Sequence, residues 1–217
     1  MTQTVVVTGG ASGIGRATCE RYADKGFNVA VLDKQQEPRE GGTPTHELVQ
    51  EHGSDATFIQ VDVTDRSQVR DAFQQVVDEY GSIDVLVNNA GIAETETIAD
   101  MDEATFDSIM QVNVYGVFHC TQAALPHMAD NGSIVNIASV AGKHGSAGLS
   151  AYCASKAAVI RFTDAASKEL DIPVNAVCPS RTQTAMTDFE GDPPEKVADT
   201  IYQVSQADYT GRAVDVR

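Results

Sequence analysis

At 217 residues, 42% of them hydrophobic and 21% charged, the chain has the size and composition of one α/β domain with its own core. Thirty-one Asp and Glu against fifteen Lys and Arg leave a formal charge of −16 at pH 7, which argues against nucleic acid and anionic membrane surfaces as partners. No apolar run approaches the ~20 residues of a membrane span. Met1-Thr2-Gln3 leads into a strand with no basic leader, so a cytoplasmic protein is expected.

Only six of the fifteen basic residues are lysine and many of the acids are Asp, a surface expected of a salt-adapted protein. Cys19, Cys120, Cys153 and Cys178 are widely spaced among apolar or small residues. With no C-x-x-C and no histidine at ligand spacing, they read as reduced thiols, and no metal is expected.

Thr4-Val5-Val6-Val7 is a β-branched run closed by Thr8-Gly9-Gly10 and reads as a buried strand. The turn Gly9-Gly10-Ala11-Ser12-Gly13-Ile14-Gly15 follows, then a helix from Arg16 to about Lys25, ended by Gly26. Phe27 to Leu32 is the second strand, with Asp33 at its end. A strand, glycine turn, helix, strand and acid in this order have the physics of dinucleotide binding. The glycines admit a pyrophosphate to the backbone, and the helix N-terminus offers amide donors and a positive dipole end. Asp33 is placed to accept both ribose hydroxyls and would repel a 2′-phosphate. No basic residue lies inside the turn, where Ser12 precedes Gly13, although Lys34 argues the other way. NAD is expected in preference to NADP.

Lys34 to Pro44, with Pro38 and Gly41-Gly42, reads as a surface loop, and a short helix runs from about Thr45 to His52. Ala56 to Val61 is the third strand, ending at Asp62-Val63. Asp62 is placed to accept a hydrogen bond from an adenine amine, or serves as a turn acid. Asp65 with Gln68 resembles a capping box for a helix from Arg66 to Tyr80, which Gly81 ends. The fourth strand, Ile83 to Val87, closes on Asn88-Asn89-Ala90-Gly91. A long helix is predicted from Glu103 to Met128, with Asn113 in its middle.

Asp130-Asn131-Gly132 reads as a tight turn before the fifth strand, Ser133 to Ala138, which ends at Ser139. Ligands of open α/β sheets bind beyond strand C-termini, and the glycine turn, Asp33, Asp62, Asn89 and Ser139 all fall on that edge. After the loop Val140 to Leu149, where Lys143 and His144 read as exposed, a helix spans Ser150 to about Leu170. Tyr152 and Lys156, four apart, share one face of it. A phenol with pKa near ~10 is a poor base at neutral pH, and a neighbouring ammonium favours the phenolate. The pair therefore reads as a proton shuttle, with Ser139, thirteen residues upstream, able to bond the same substrate oxygen. The sixth strand is Val174 to Cys178, then Pro179; a last helix starts at Pro193, and Tyr209 to Asp215 leads into a final strand.

Thr8-Gly9-x-x-x-Gly13-x-Gly15, Asn88-Asn89-Ala90-Gly91, Ser139 and Tyr152-x-x-x-Lys156 stand in the order and spacing of the short-chain dehydrogenases/reductases with a Gly-x-x-x-Gly-x-Gly turn. The chain resembles that family over essentially its whole length. The resemblance implies a doubly wound α/β fold of Rossmann type: a seven-stranded, mostly parallel sheet with helices on both faces, one domain over residues 1–217. It implies a small-molecule alcohol or ketone substrate and an NAD(H)-dependent interconversion of the two by hydride transfer. Tyr152 would be the general acid/base. Lys156 would lower its pKa and bind the nicotinamide ribose. Ser139 would polarise the carbonyl, and Asn113 (Val112-Asn113-Val114-Tyr115-Gly116) would hold a water of the proton relay. Cofactor contacts are expected from Gly9, Ser12, Gly13, Ile14, Gly15, Asp33, Asp62, Val63, Asn89, Ala90, Gly91, Tyr152, Lys156, Pro179, Thr182 and Thr184.

Relatives often pack the helices expected at 103–128 and 150–170 against a second subunit, which implies a homodimer or homotetramer. Two departures stand out: Ser180 where the family carries Gly, and only six residues, 187–192, where many relatives have a longer substrate cover. A cleft more open to water is expected. The alternatives are a 3-oxoacyl thioester reductase using NADPH and a non-catalytic NAD-binding regulator on the same fold.

Overall fold

The structure is a computed structural model and describes residues 2–216. Its centre is a sheet of β1 (Thr4–Thr8), β2 (Asn28–Asp33), β3 (Ala56–Gln60), β4 (Ile83–Asn88), β5 (Met128–Ile137), β6 (Val174–Cys178) and β7 (Ala213–Asp215). The order is β3-β2-β1-β4-β5-β6-β7, with every pairing parallel. Parallel neighbours need crossovers, and these are supplied by α1 (Gly13–Ala23), α2 (Thr45–Glu51), α3 (Arg66–Tyr80), α4 (Glu103–Met110), α5 (Gly116–Ala124), α6 (Ser150–Ala166) and α7 (Pro194–Ser205).

Period-two alternation sends β1 side chains to two cores. Val5 and Val7 meet Cys19 and Tyr22 of α1 and Ile201 of α7. Val6 faces the opposite side with Phe73 and Val76 of α3 and Cys120 of α5. Each such side chain, buried completely, contributes roughly 1.5–3 kcal/mol. The chain builds outward from β1 to β3, then returns to pair β4 on the other flank of β1. That reversal opens a crevice at the C-terminal ends of β1 and β4.

Three predicted elements differ. The single helix expected over 103–128 is broken: α4 gives way to a π-turn, Gln111–Tyr115, before α5, and a 3-10 turn, Leu125–His127, ends the run. The tight turn expected at Asp130–Gly132 lies inside β5. Ile83 pairs Met128 but Val85 already pairs Ser133, so residues 129–132 bulge outward. The helix expected to reach Leu170 ends at Ala166. At α3, Asp65 caps the amides of Ser67 and Gln68, but Gln68 Oε1 accepts the Asp62 amide rather than that of Asp65, while its Nε2 donates to the Asp65 carboxylate. Among the described residues, no helix is long and apolar enough to cross a membrane.

Candidate active site

The glycine turn is set by sterics. Gly9 has φ +64°, and a Cβ there would lie 3.0 Å from Ala90 Cα. A Cβ on Gly15 would fall 2.0 Å from the Gly9 carbonyl oxygen. Neither position admits a side chain. Asn89 staples the turn to β4 by donating Nδ2 to the carbonyls of Thr8 (2.9 Å) and Gly9 (3.0 Å). Thr8 Oγ1 accepts the Asn89 and Ala90 amides. Thr8, which opens the glycine motif, is thus a structural member of the site.

Asp33 braces the same turn, accepting the Ala11 amide at 3.1 Å and the Lys34 amide at 2.7 Å. The Lys34 ammonium pairs with Asp62 at 2.8 Å. Burial works against the Asp62 charge, but bonds from Lys34 and Thr64 outweigh it and hold the carboxyl below the usual range. The loop after β2 folds back onto the turn. The Arg39 amide donates to Ser12 Oγ (2.8 Å), and the Glu40 carboxylate accepts the Gly13 amide (2.9 Å). Neither residue carries a motif, so the sequence held no signal for them.

Ser139, at the end of β5, accepts the Ala141 amide (3.1 Å) and faces the Pro179 carbonyl (3.4 Å). Lys156 is 4% exposed, donates Nζ to the Ile137 carbonyl at 2.8 Å, and stands 5.7 Å from the Tyr152 ring centroid. Burial pulls its pKa down to about 8. The expected depression of the Tyr152 pKa does not hold here. Burial pushes the phenol up, and only the Ser139 hydroxyl acts the other way. The physical reason is desolvation of the phenolate, with the ammonium held on a carbonyl rather than on the phenol oxygen.

Asn113 sits in the π-turn, 1% exposed, and bonds both the amide (2.8 Å) and the carbonyl (2.9 Å) of Ile92, as well as Ser155 Oγ (3.0 Å). A wider turn at a functional position is a known use of π geometry. It ties the segment after β4 to α6. A Cβ on Gly91 would lie 3.3 Å from both Asn113 Oδ1 and Lys156 Nζ, so this glycine keeps the two polar groups adjacent.

These groups share one cavity of about 990 Å³ at the crevice. Gly9, Ser12, Gly13, Ile14, Asp33, Asp62, Val63, Asn89, Ala90, Gly91, Ser139, Tyr152, Lys156, Pro179, Thr182 and Thr184 line it. Of the residues picked from sequence, Gly15 and Asn113 stand behind the wall and shape it. The volume, the glycine cradle and the Asp33 carboxylate fit a dinucleotide.

A family model described as short chain dehydrogenase matches residues 3–194. The chain is a member of the short-chain dehydrogenase/reductase family. It is 41% identical over 200 residues to a Thermotoga maritima protein named 3-oxoacyl-acyl-carrier-protein reductase FabG, covering 90% of this chain and 79% of that one. It is 39% identical over 197 residues to a Staphylococcus aureus protein of the same name, covering 88% and 79%. A 2-(R)-hydroxypropyl-CoM dehydrogenase of Xanthobacter autotrophicus is 37% identical over 214 residues, covering 95% and 85%. The crystal structure of a short-chain type dehydrogenase/reductase from Mycobacterium marinum superposes with TM-score 0.91 at 30% identity, covering 99% of this chain and 93% of that one. As a family member the protein is an NAD(P)-dependent oxidoreductase acting on CH–OH groups.

The two departures from the short-chain dehydrogenase pattern have structural counterparts. Ser180 donates its hydroxyl to Asp192 at 3.2 Å, so the added side chain is tied to the short 187–192 segment. That segment closes on itself: the Asp192 amide bonds the Arg181 carbonyl (2.9 Å), and the Gln183 amide bonds the Asp192 carbonyl (2.8 Å). Asp188 and Phe189 both take left-handed backbone at φ +52° and +59°. Met186 and Phe189 stay exposed. Lys143, expected to be free, pairs with Asp215 at 2.6 Å and joins the neighbouring loop to β7.

Proposed function

We propose that the protein reduces a ketone to a secondary alcohol with NADH, Tyr152 supplying the proton. The carrying observation is the shared cavity: Ser139, Tyr152 and Lys156 line it together with the glycine turn, and the Tyr152 phenol holds its proton at neutral pH, ready to give it to a carbonyl oxygen. When bound, the nicotinamide dinucleotide supplies the hydride. Gly9, Ser12, Gly13, Ile14 and Asn89 would hold its phosphates and adenosine, with Gly15 shaping the turn, and Asp33 its ribose hydroxyls. Asp62 and Val63 would flank the adenine; Ala90, Gly91, Pro179, Thr182 and Thr184 would contact the nicotinamide half.

Ser139 donates to the substrate carbonyl and turns it toward Tyr152. Tyr152 gives its hydroxyl proton to that oxygen as the alcohol forms, or takes it back in the reverse direction. Lys156, an ammonium below about pH 8, steadies the charge left on the phenol oxygen and would bond the nicotinamide ribose. Asn113 acts as a positioning residue through Ile92 and Ser155. A dimer or tetramer through the exposed faces around Phe106, Tyr115 and Phe118 belongs to the same reading.

NADH is favoured because the Asp33 carboxylate, at the end of β2, lines the cavity where it would meet ribose hydroxyls, and Lys34 is already paired with Asp62. A second reading, reduction of a 3-oxoacyl thioester with NADPH, is supported by the names of the relatives and by the presence of Arg39 in the cavity wall. Titration with NADH and NADPH in low and molar KCl, followed by cofactor fluorescence, separates the two. Tighter NADH, strengthened by salt, supports both the Asp33 reading and a salt-adapted surface; tighter NADPH overturns the first. Tyr152→Phe should lower turnover about 10²–10⁴-fold while leaving NADH binding intact. Near-normal turnover in that variant would sink the assignment.

A further inference from the structure

Resting on the dinucleotide reading of the glycine turn, we propose that Glu40 is a built-in competitor for the cofactor's phosphates. Its carboxylate, seated on the Gly13 amide, holds residues 39–43 as a strap across the turn and leaves before a dinucleotide binds.

The contact is specific in place and kind. Gly13 is the first residue of α1, so its amide is one of the helix's unpaired donors and lies at the positive end of the dipole. The Glu40 carboxylate takes it at 2.9 Å from the edge of the large cavity, in a smaller neighbouring pocket that Gly13 and Thr184 also line, and a helix N-terminal amide of this kind is one a phosphate oxygen takes. Ser12, the N-cap of α1, caps no helix amide with its own side chain. Its Oγ instead accepts the Arg39 amide at 2.8 Å. Arg16 reaches from α1 to the Thr43 carbonyl at 2.6 Å, and Thr45 Oγ1 donates to the Ala11 carbonyl at 3.1 Å.

The strap is therefore fastened at both ends, with the Gly13 amide taken by Glu40 and the Ser12 hydroxyl oxygen accepting the Arg39 amide. A dinucleotide brings two phosphate charges to this amide. With Asp33 already beside the turn, those charges and the Glu40 carboxylate repel at contact distance. Apparent affinity then falls by the fraction of molecules whose strap is open.

The test compares Glu40→Ala with Glu37→Ala. Glu37 is an exposed acid of the same loop and matches the charge removed. NADH binding by fluorescence and melting temperature are measured on all three proteins. Glu40→Ala should bind NADH about three- to tenfold more tightly, Glu37→Ala within twofold of the parent. The Gly13 amide should also exchange its hydrogen faster in Glu40→Ala. If Glu40 is only a helix cap, Glu40→Ala melts lower and binds no more tightly, and the proposal fails. Equal tightening in both variants, a bulk charge effect, overturns it too. If no protein of the set binds NADH or NADPH while all are folded, the dinucleotide reading itself has failed. Tight binding by Glu40→Ala alone is the strongest support.

Discussion

Two stretches of one cavity wall, the glycine turn and the substrate segment 180–192, are built on different principles. The turn is wedged between buried strands and stapled by Asn89, with backbone atoms so close that side chains are forbidden. The substrate segment lies on the surface. Its ties are bonds to itself and exposed ion pairs, Arg181 with Glu190 at 2.9 Å and Lys196 with Asp192 at 3.2 Å. Exposed pairs contribute only about 0–1 kcal/mol each. The difference teaches that the turn is held by buried packing against two strands, whereas the segment 180–192 is held by its own backbone, with Gly191 seated as closely on the Arg181 carbonyl as Gly15 is on that of Gly9, and by exposed ion pairs.

The harshest test of the turn is to add a methyl group there, with a loop glycine outside both stretches as the control. Gly15→Ala should cost roughly 3 kcal/mol or more in urea unfolding, because its Cβ meets the Gly9 carbonyl backbone. Gly145→Ala, in the loop after β5 with nothing within 4 Å of its Cβ, should change stability by no more than about 0.5 kcal/mol. Equal costs would erase the distinction.

Asn113→Ala probes the buried side at one remove. It leaves the Ile92 amide and carbonyl without their partner, so about 1–3 kcal/mol should be lost. Turnover should fall with little change in the affinity for NADH. Full activity at normal stability would show that Ile92 needs no anchor.

Lys156 sharpens the comparison through pH. Its ammonium is present below about pH 8 and is lost as pH rises past that value. The Tyr152 phenol stays protonated beyond that point, because its own pKa is raised. Reductive kcat/KM for NADH, which reports groups of the free enzyme, should therefore decline above about pH 8. A decline that begins below pH 7 would point to another group.

The smallest effect belongs to the substrate segment. Phe189→Gly relieves a left-handed backbone at φ +59° and should gain about 1 kcal/mol or be neutral in thermal unfolding. A loss above 1 kcal/mol would mean that the Phe189 ring anchors the segment.

The same physics separates what was legible in the sequence from what was not. Glycines forced by close approach, β-branched strand runs and acids at strand ends are local requirements, so the strands, the turn and Asp33 could be read directly, while the Ser139–Tyr152–Lys156 set rested on the order and spacing of the family's motifs. The break of the 103–128 helix could not, because apolar spacing alone does not distinguish a helix from one interrupted by a π-turn. Nor could the bulge at 129–132, whose Asp-Asn-Gly composition suits a turn equally well.

By itself, then, the sequence determined the order of strands and helices and the glycine turn with its strand-end acid. Tertiary structure alone decided the states and partners of the reacting groups. Burial, which no local pattern encodes, raised the Tyr152 pKa and lowered that of Lys156. Chain reversal brought Glu40 onto Gly13 across 27 residues and Asn113 onto Ile92 across 21. Desolvation and long-range contact depend on what packs around a group, and only the folded chain supplies that.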